Sequence, residues 1–195
     1  MIQNIEAKTD EELVKLALED SDNFRYLVER YEEKIGRYIR RISMVSNEDV
    51  EDLLQEVFIS VYRNLNDFDS GLKFSSWIYR IAHNKVISRW RKDKNAPKVL
   101  RSEESLEIFN IMEDKDDFFA KLVQRDDGKE VYKILNTLKL EYKEVLVLKF
   151  LEDKSYLEIA DILKKPMGTI ATLINRAKKQ FKEIVERENL NNKLQ

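Results

Sequence analysis

Apolar residues recur every three to four positions along most of this chain, the spacing of amphipathic α-helices. The repeat predicts helices over residues 24–42 and 48–65, and a Ser-Asn pair just before the second can cap it. Residues 67–76 interrupt the repeat with Asp, Ser and Gly and predict a loop. A third strong helix is expected from about Ser75, so residues 10–94 are predicted to form one helical module.

The periodicity is lost over residues 95–127, where acidic side chains dominate. This stretch predicts a linker with a short helical piece around 104–112. Apolar spacing returns over residues 128–190, and no segment shows strand-like alternation. The sequence therefore predicts an all-α protein with two small helical domains joined by an acidic linker.

The end of the second module has the layout of a helix-turn-helix. Residues 155–158 (SYLE) match a capping box, and the short helix that they begin should end before Pro166. A longer helix from about Thr169 would bury one apolar stripe and leave its other, mostly polar side chains outward, where they could enter a DNA major groove. Those side chains are Thr169, Ala171, Thr172, Asn175, Arg176, Lys178, Lys179 and Lys182. An ordinary helical hairpin with a solvated basic face is the alternative.

Composition constrains location and chemistry. The 195 residues include no Cys, so neither a disulfide framework nor a thiolate metal site is possible. We find no signal peptide and no apolar run long enough to cross a bilayer, and we expect a cytoplasmic protein. His83 is the single histidine and has no nucleophile motif beside it. We therefore expect no enzyme activity, no metal site and no cofactor.

Charge is segmented along the chain. The net charge of −2 taken alone argues weakly against nucleic-acid binding. Residues 80–94 and 176–182 are nevertheless strongly basic, and residues 103–117 between them are strongly acidic. The distribution of charge is therefore more informative than its sum.

The segment 74–92 combines positive charge with aromatic rings. On a helix, one face carries Phe74, Trp77, Ile78 and Ile81 and is predicted to be core. A second face carries Tyr79, His83, Val86 and Trp90, and a third carries Arg80, Asn84 and Arg91. Rings beside cations suit unpaired bases, which stack on the rings while the charges hold the backbone. Packing of the second face against a neighbouring helix is the alternative for each ring.

Together these pieces resemble a known family, the extracytoplasmic-function (ECF) bacterial sigma factors. The resemblance rests on EDVEDLLQEVFISVYRNL (48–65), FSSWIYRIAHNKVISRWRK (74–92) and the C-terminal helix-turn-helix, in the usual order and spacing. It implies sigma region 2 in residues 1–94, a linker over 95–127 and sigma region 4 in 128–195. It also implies a non-catalytic transcription initiation factor that binds core RNA polymerase, directs it to promoter DNA and helps to open the duplex.

The resemblance implies roles for individual residues. Asp52, Gln55 and Glu56 match the D-x-x-Q-E pattern that docks on the clamp helices of the largest polymerase subunit. The recognition and melting segment for the minus-ten element corresponds to Trp77, Tyr79, Arg80, His83, Asn84, Arg89, Trp90 and Arg91, after a loop for a flipped-out base. The reader of the minus-thirty-five element corresponds to Thr169, Thr172, Asn175, Arg176, Lys178 and Lys179. An anti-sigma factor is a further implied partner, and no direct membrane insertion is expected.

The chain departs from the family pattern at two places. The turn of the helix-turn-helix usually holds a small residue, whereas this chain has Lys164 or Lys165 there. Where two cations are usual after Gly-Thr, it has Ala171, Thr172 and Leu173, and each missing phosphate contact should flatten the salt dependence of DNA binding. Two alternatives therefore stay open: a sigma-like adaptor that binds polymerase without initiating, and an autonomous helix-turn-helix regulator.

Overall fold

A computed structural model describes residues 5–43, 45–92 and 129–193. The regular elements in these ranges are all helical, and they fall into two compact units. The prediction of an all-α fold in two domains is confirmed. The linker expected over 95–127 and its helical piece around 104–112 lie outside the described residues.

The described residues of the first unit form four α-helices and three short 3₁₀ turns. The helices are α1 (Asp10–Glu19), α2 (Phe24–Ser43), α3 (Asn47–Arg63) and α4 (Phe74–Lys92). The 3₁₀ turns are Ile5–Ala7, Ser21–Asn23 and Leu65–Asp67. The loop predicted over 67–76 is shorter than expected, because α4 begins at Phe74.

The core of the first unit forms where α2 and α3 pack against each other and α4 packs against α1, α2 and α3. Its largest fully buried side chains include Tyr38 and Phe74. The Tyr38 ring lies 5.0 Å from that of Tyr79, and the Phe74 ring meets Tyr31 edge to face at 5.4 Å between centroids. Edge-to-face and tilted ring pairs add to the stabilisation from buried area, so these contacts fix how α2 and α4 pack.

Three hydrogen-bonded caps set the starts of helices in this unit. Thr9 and Glu12 form a capping box at α1, in which the Thr9 amide donates to the Glu12 carboxylate at 2.7 Å. Ser46 caps α3 by accepting from the amide of Asp49 at 3.2 Å. The amide of Phe74, at the start of α4, donates to Glu11 of α1 at 3.4 Å.

Arg30 of α2 ties the N-terminal segment to the rest of the unit. Its guanidinium donates to the carbonyls of Lys8 at 2.8 Å and Ile5 at 3.2 Å, and to the Asp10 carboxylate at 2.9 Å. The hydroxyl of Tyr31 donates to the same carboxylate. Burial and this hydrogen bond raise the pKa of Tyr31 well above the usual range.

Over its described residues, 129–193, the second unit contains four more α-helices. They are α5 (Lys129–Thr137), α6 (Leu140–Leu146), α7 (Tyr156–Leu163) and α8 (Met167–Lys193), and α6 continues into a π-helical turn over Val147–Leu151. Most of its packing joins α6 and α5 to α8. The apolar stripe of α8 includes the fully buried Ile170, Ala177 and Phe181.

The predicted turn between α7 and α8 has the expected local chemistry. Ser155 and Glu158 form a reciprocal capping box, in which the Glu158 amide donates to Ser155 Oγ at 3.3 Å and the Ser155 amide donates to Glu158 Oε2 at 3.0 Å. Lys164 ends α7 in the left-handed conformation with φ of 52°. A side chain in that conformation costs about 1–2 kcal/mol, which is why a small residue is the usual choice there.

Candidate functional site

The helix α3 has one apolar and one acidic face. Leu53 and Val57 point into the core, with 2% and 0% of their surface exposed. Asp52, Gln55 and Glu56 are all exposed. Because residues three and four apart share a helix face, these three side chains form one continuous surface. The sequence-based expectation that they lie on the solvent side of α3 is correct.

The exposed surface of α3 continues into apolar residues that the sequence reasoning missed. Ile59 is 50% exposed and Tyr62 is 49% exposed, and both follow Asp52 and Gln55 at helical spacing. The Tyr62 ring contacts Phe24 edge to face at 5.1 Å, which fixes its position. Ile59 breaks the apolar repeat of α3, and this break was the available signal.

Two ion pairs join α3 to α4. Lys85 Nζ lies 3.3 Å from Glu56 Oε2, and Arg89 Nη2 lies 2.5 Å from Asp49 Oδ1. The side chains remain between 32% and 53% exposed. One of the predicted polymerase contacts, Glu56, is therefore paired with a cation of the basic segment.

The prediction that Tyr79 lies on an open face of α4 is wrong. Tyr79 is 2% exposed and packs against Tyr38, and Val86 of the same predicted face is fully buried. The physical reason is that α4 packs against three helices, so two of its faces are covered rather than one. The alternative reading, core packing of this ring, holds for Tyr79.

Trp90, near the end of α4, is half-buried, and its indole has a structural partner. Its Nε1–H donates to the backbone carbonyl of Ser43 at 3.2 Å, which satisfies a carbonyl in the last turn of α2. The indole therefore helps to hold the end of α2 against α4.

Trp77 belongs to an aromatic cluster next to the loop before α4. It is half-buried, and its ring centroid lies 5.4 Å from Phe68 and 5.7 Å from Phe74. The loop itself turns at Asp69, whose carboxylate accepts from the Gly71 amide at 2.9 Å. The contacts of Trp77 with Phe68 and Phe74 therefore join the two ends of this loop.

The remaining predicted residues of α4 are at least partly accessible. Asn84, Arg89 and Arg91 are exposed, whereas Arg80 and His83 are half-buried. Arg80, Asn84 and Arg91 share one side of the helix, as expected from their spacing. The exposed part of α4 is thus polar and cationic, whereas its two tryptophans are half-buried.

The start of α8 is more buried than the sequence suggested. Thr172 was expected to face outward, but it is 8% exposed and its hydroxyl donates to the Gly168 carbonyl at 3.0 Å. Ala171, at 5%, is likewise buried. Both expectations are wrong, because consecutive positions 170–174 are all buried, more than a single stripe would cover.

Other predicted residues of α8 are accessible to varying degrees. Thr169, Asn175, Arg176 and Lys178 are half-buried, and Lys179 and Lys182 are exposed. Among these predicted residues, the exposed cations therefore lie after the first three turns of α8. The positions where cations are usual in the family, 171–173, are buried here.

Within the described ranges, no group of three or more His, Cys, Asp and Glu side chains could hold a metal ion. Over the same residues, no helix is long and apolar enough to span a membrane.

Comparison with known families gives two matches along the chain. Residues 27–96 match Sigma-70 region 2, and residues 128–181 match Sigma-70, region 4. The first match covers most of α2 and all of α3 and α4, and the second covers α5, α6, α7 and the first part of α8.

Solved structures share the fold at 22% sequence identity. CnrH, solved in complex with the cytosolic domain of CnrY, covers 92% of this chain and 99% of its own with a TM-score of 0.68. The sigma factor RpoE of Bartonella quintana, solved with the anti-sigma factor NepR, covers 84% of this chain and 97% of its own with a TM-score of 0.61.

Sequence relatives are similar over nearly the whole chain. The ECF RNA polymerase sigma factor SigW of Bacillus subtilis is 34% identical over 84% of this chain and 89% of its own. The ECF RNA polymerase sigma-E factor of Haemophilus influenzae is 30% identical over 93% of this chain and 97% of its own. The chain therefore belongs to the ECF RNA polymerase sigma factors, which bind RNA polymerase and direct it to promoters.

Proposed function

We propose that this ECF sigma factor docks on core RNA polymerase through α3. The observation that carries the proposal is the continuous exposed surface formed by Asp52, Gln55 and Glu56. The opposite face of the same helix is buried in the core. Acidic side chains on a rigid helix suit a basic partner, because complementary charge steers association and fixes orientation. Ile59 and Tyr62 add apolar area to the same side of α3.

The polar side of α4 is proposed to hold the separated strand of the minus-ten region and to assist strand opening. Asn84, Arg80 and Arg91 supply hydrogen bonds and positive charge, and Trp77 with its loop supplies ring surface at the start of the helix. Tyr79 is left out of this surface because it is core. Trp90 is proposed to act through the shape of the α2–α4 junction.

The helix α8 is proposed to read the minus-thirty-five element in duplex DNA. Thr169, Asn175 and Arg176 are accessible in its first half, and Lys178 and Lys179 follow on the next turn. Polar side chains in early turns suit base edges, and later cations suit phosphates. The proposed domains are sigma region 2 in residues 1–94 and region 4 in residues 128–195, with a linker over 95–127.

The protein is proposed to act in the cytoplasm without catalysing a reaction itself. An anti-sigma factor is the proposed regulatory partner, as in the solved complex of RpoE with NepR. Such a partner would hide the docking surface of α3 or the two cationic helices.

Run-off transcription tests the proposal. Purified chain, core polymerase and fragmented genomic DNA should give discrete transcript starts that are absent without the chain. Asp52→Asn with Glu56→Gln should weaken association with core polymerase, whereas Glu33→Gln on exposed α2 surface should not. Polymerase binding without discrete starts would support the adaptor, and tight duplex binding without polymerase would support the autonomous regulator.

A further inference from the structure

A groove runs between α3 and α4 on the surface of the first unit. Its volume is about 360 Å³. Its polar lining consists of Ser60, Asn84, Lys85, Ser88, Arg89 and Lys92, together with Glu56. Leu53 and Ile81 contribute apolar surface. The groove is therefore mainly cationic and hydroxyl-bearing, with a single carboxylate in its wall.

The three cations are arranged in a row. Lys85, Arg89 and Lys92 are spaced four and three residues apart on α4, so they share one side of the helix. Four residues of α-helix rise about 6 Å, so consecutive charges are close enough to act on one stretch of nucleic-acid backbone. The hydroxyls of Ser60 and Ser88 stand beside them as further donors.

Carboxylates of the chain itself occupy two of these cations. Glu56 pairs with Lys85 at 3.3 Å, and Asp49 pairs with Arg89 at 2.5 Å. Carboxylate and phosphate oxygens are interchangeable partners for lysine and arginine. All four side chains are about a third or more exposed, so each pair is weak and can exchange for another anion.

We propose that Asp49 and Glu56 mask the cations of this groove in the free protein, where they stand in for the phosphates of the single DNA strand that displaces them. The inference rests on the proposed function in assigning α4 to the separated strand. It adds a defined site for the backbone, which the faces of α4 alone did not indicate, and it gives Asp49 a role.

The arrangement couples the groove to the docking surface. Glu56 belongs both to the exposed acidic surface of α3 and to the pair with Lys85. A basic partner that takes Glu56 releases Lys85 for a phosphate. By linkage, a strand bound in the groove releases Glu56 for the basic partner, so each ligand strengthens binding of the other.

The test measures binding of the free chain to a short fluorescein-labelled oligothymidine by fluorescence anisotropy, without polymerase. Glu56→Gln and Asp49→Asn should each bind about two- to fivefold more tightly than the unaltered chain, because each frees one cation from a weak pair. Glu33→Gln is the matched control, since it removes the same charge from an exposed carboxylate paired with Arg37. Its affinity should stay near that of the unaltered chain.

Salt dependence supplies a second readout. Each phosphate contact to a single strand contributes about 0.7 to the slope of log K against log salt. A double variant with both Asp49→Asn and Glu56→Gln frees two cations and should steepen the slope by about 1.4. Adding Lys85→Gln and Arg89→Gln should abolish the gain. Circular dichroism checks that each variant is folded, and Glu56→Gln alone decides the matter if Asp49→Asn, next to the Ser46 cap, perturbs α3.

Three results would overturn the inference. The first is a gain no larger than that of Glu33→Gln, and the second is a gain that survives loss of Lys85 and Arg89. The third is an equal gain for duplex DNA or equal displacement by inorganic phosphate, which would point to a general anion site. Failure of the chain to bind polymerase would contradict the proposed function, but it would not change the oligothymidine affinities measured without polymerase.

Discussion

The helices α4 and α8 carry the two cationic surfaces of the molecule, but they bury apolar side chains differently. Within the first unit α4 packs against three helices and covers residues on two faces, including Tyr79 and Val86. In the second unit α8 packs mainly against α6 and α5. The buried ring of α4 is therefore explained by the number of helices packed around it. The exposed polar residues of such a helix are better candidates for nucleic-acid contacts than its rings.

Removing the Tyr79 ring should lower the stability of the first unit more than any other change proposed here. A small effect would contradict the comparison of α4 with α8. Tyr79→Ala deletes a ring that is 2% exposed and should lower the free energy of unfolding of the first unit by about 3–5 kcal/mol. Tyr79→Phe should cost much less, because it keeps the contact with Tyr38. Urea unfolding followed by tryptophan fluorescence measures this, since both tryptophans lie in α4.

A matched change in the second unit completes that test. Phe181→Ala removes a ring of α8 that is 1% exposed. It should lower the free energy of unfolding of the second unit by a similar amount, measured by the circular dichroism of its helices. It should leave the tryptophan transition in place if the two units unfold separately. A Tyr79→Ala variant as stable as the unaltered chain would restore the open-surface interpretation of that ring.

A buried lysine should give the second unit a pH dependence of its own. Lys143 is 3% exposed, and burial lowers its pKa to about 8, against an opposing effect of Glu144. Below pH 8 the folded state holds a buried charge. Between about pH 8 and the ordinary value of 10.5, the unfolded state binds more protons than the folded one, so stability rises with pH.

Lys143→Met should therefore raise the free energy of unfolding by on the order of 2 kcal/mol near neutral pH and by much less near pH 10. Circular dichroism during urea unfolding at both pH values checks this. Lys139→Met, at an exposed neighbouring position, should show no such difference. An equal effect of Lys143→Met at both pH values would mean that its charge is not penalised in the folded state.

The smallest expected effect concerns the turn between α7 and α8. Lys164→Gly should slow hydrogen exchange of the surrounding amides by stabilising the unit by about 0.5–1 kcal/mol, because glycine adopts a φ of 52° without strain. Lys165→Gly, one residue along and outside both helices, should destabilise slightly, because glycine gives the unfolded chain more conformational freedom to lose. The explanation fails if both variants shift exchange in the same direction.

Helix positions and local turn chemistry were predictable from the sequence because they depend on neighbouring residues. The apolar repeat over 24–42 predicted α2, and SYLE predicted the capping box at Ser155. The acidic side of α3 was also predictable, since alternate faces of one amphipathic helix carry opposite chemistry. These features require no knowledge of which helices pack together.

The burial of Tyr79 and Thr172 was not predictable in the same way. Each depends on the side of a helix that its neighbours cover, and a helix covered on two sides cannot be recognised from its own periodicity. The ion pairs of Asp49 and Glu56 with α4 likewise join residues about thirty to forty positions apart. Only the packing of α3 on α4 brings them together.

The hydrogen bonds of Arg30 to the N-terminal segment determine where a stable fragment of the first unit can begin. The match to Sigma-70 region 2 begins at residue 27, but Asp10 and the carbonyls bound by Arg30 precede it. Glu11 of α1, which accepts from the amide at the start of α4, precedes it as well. Leu13 and its neighbours on α1 also fill the core. A fragment cut at the family boundary would leave an unmatched guanidinium and an open apolar cleft, so the smallest stable piece has to include α1.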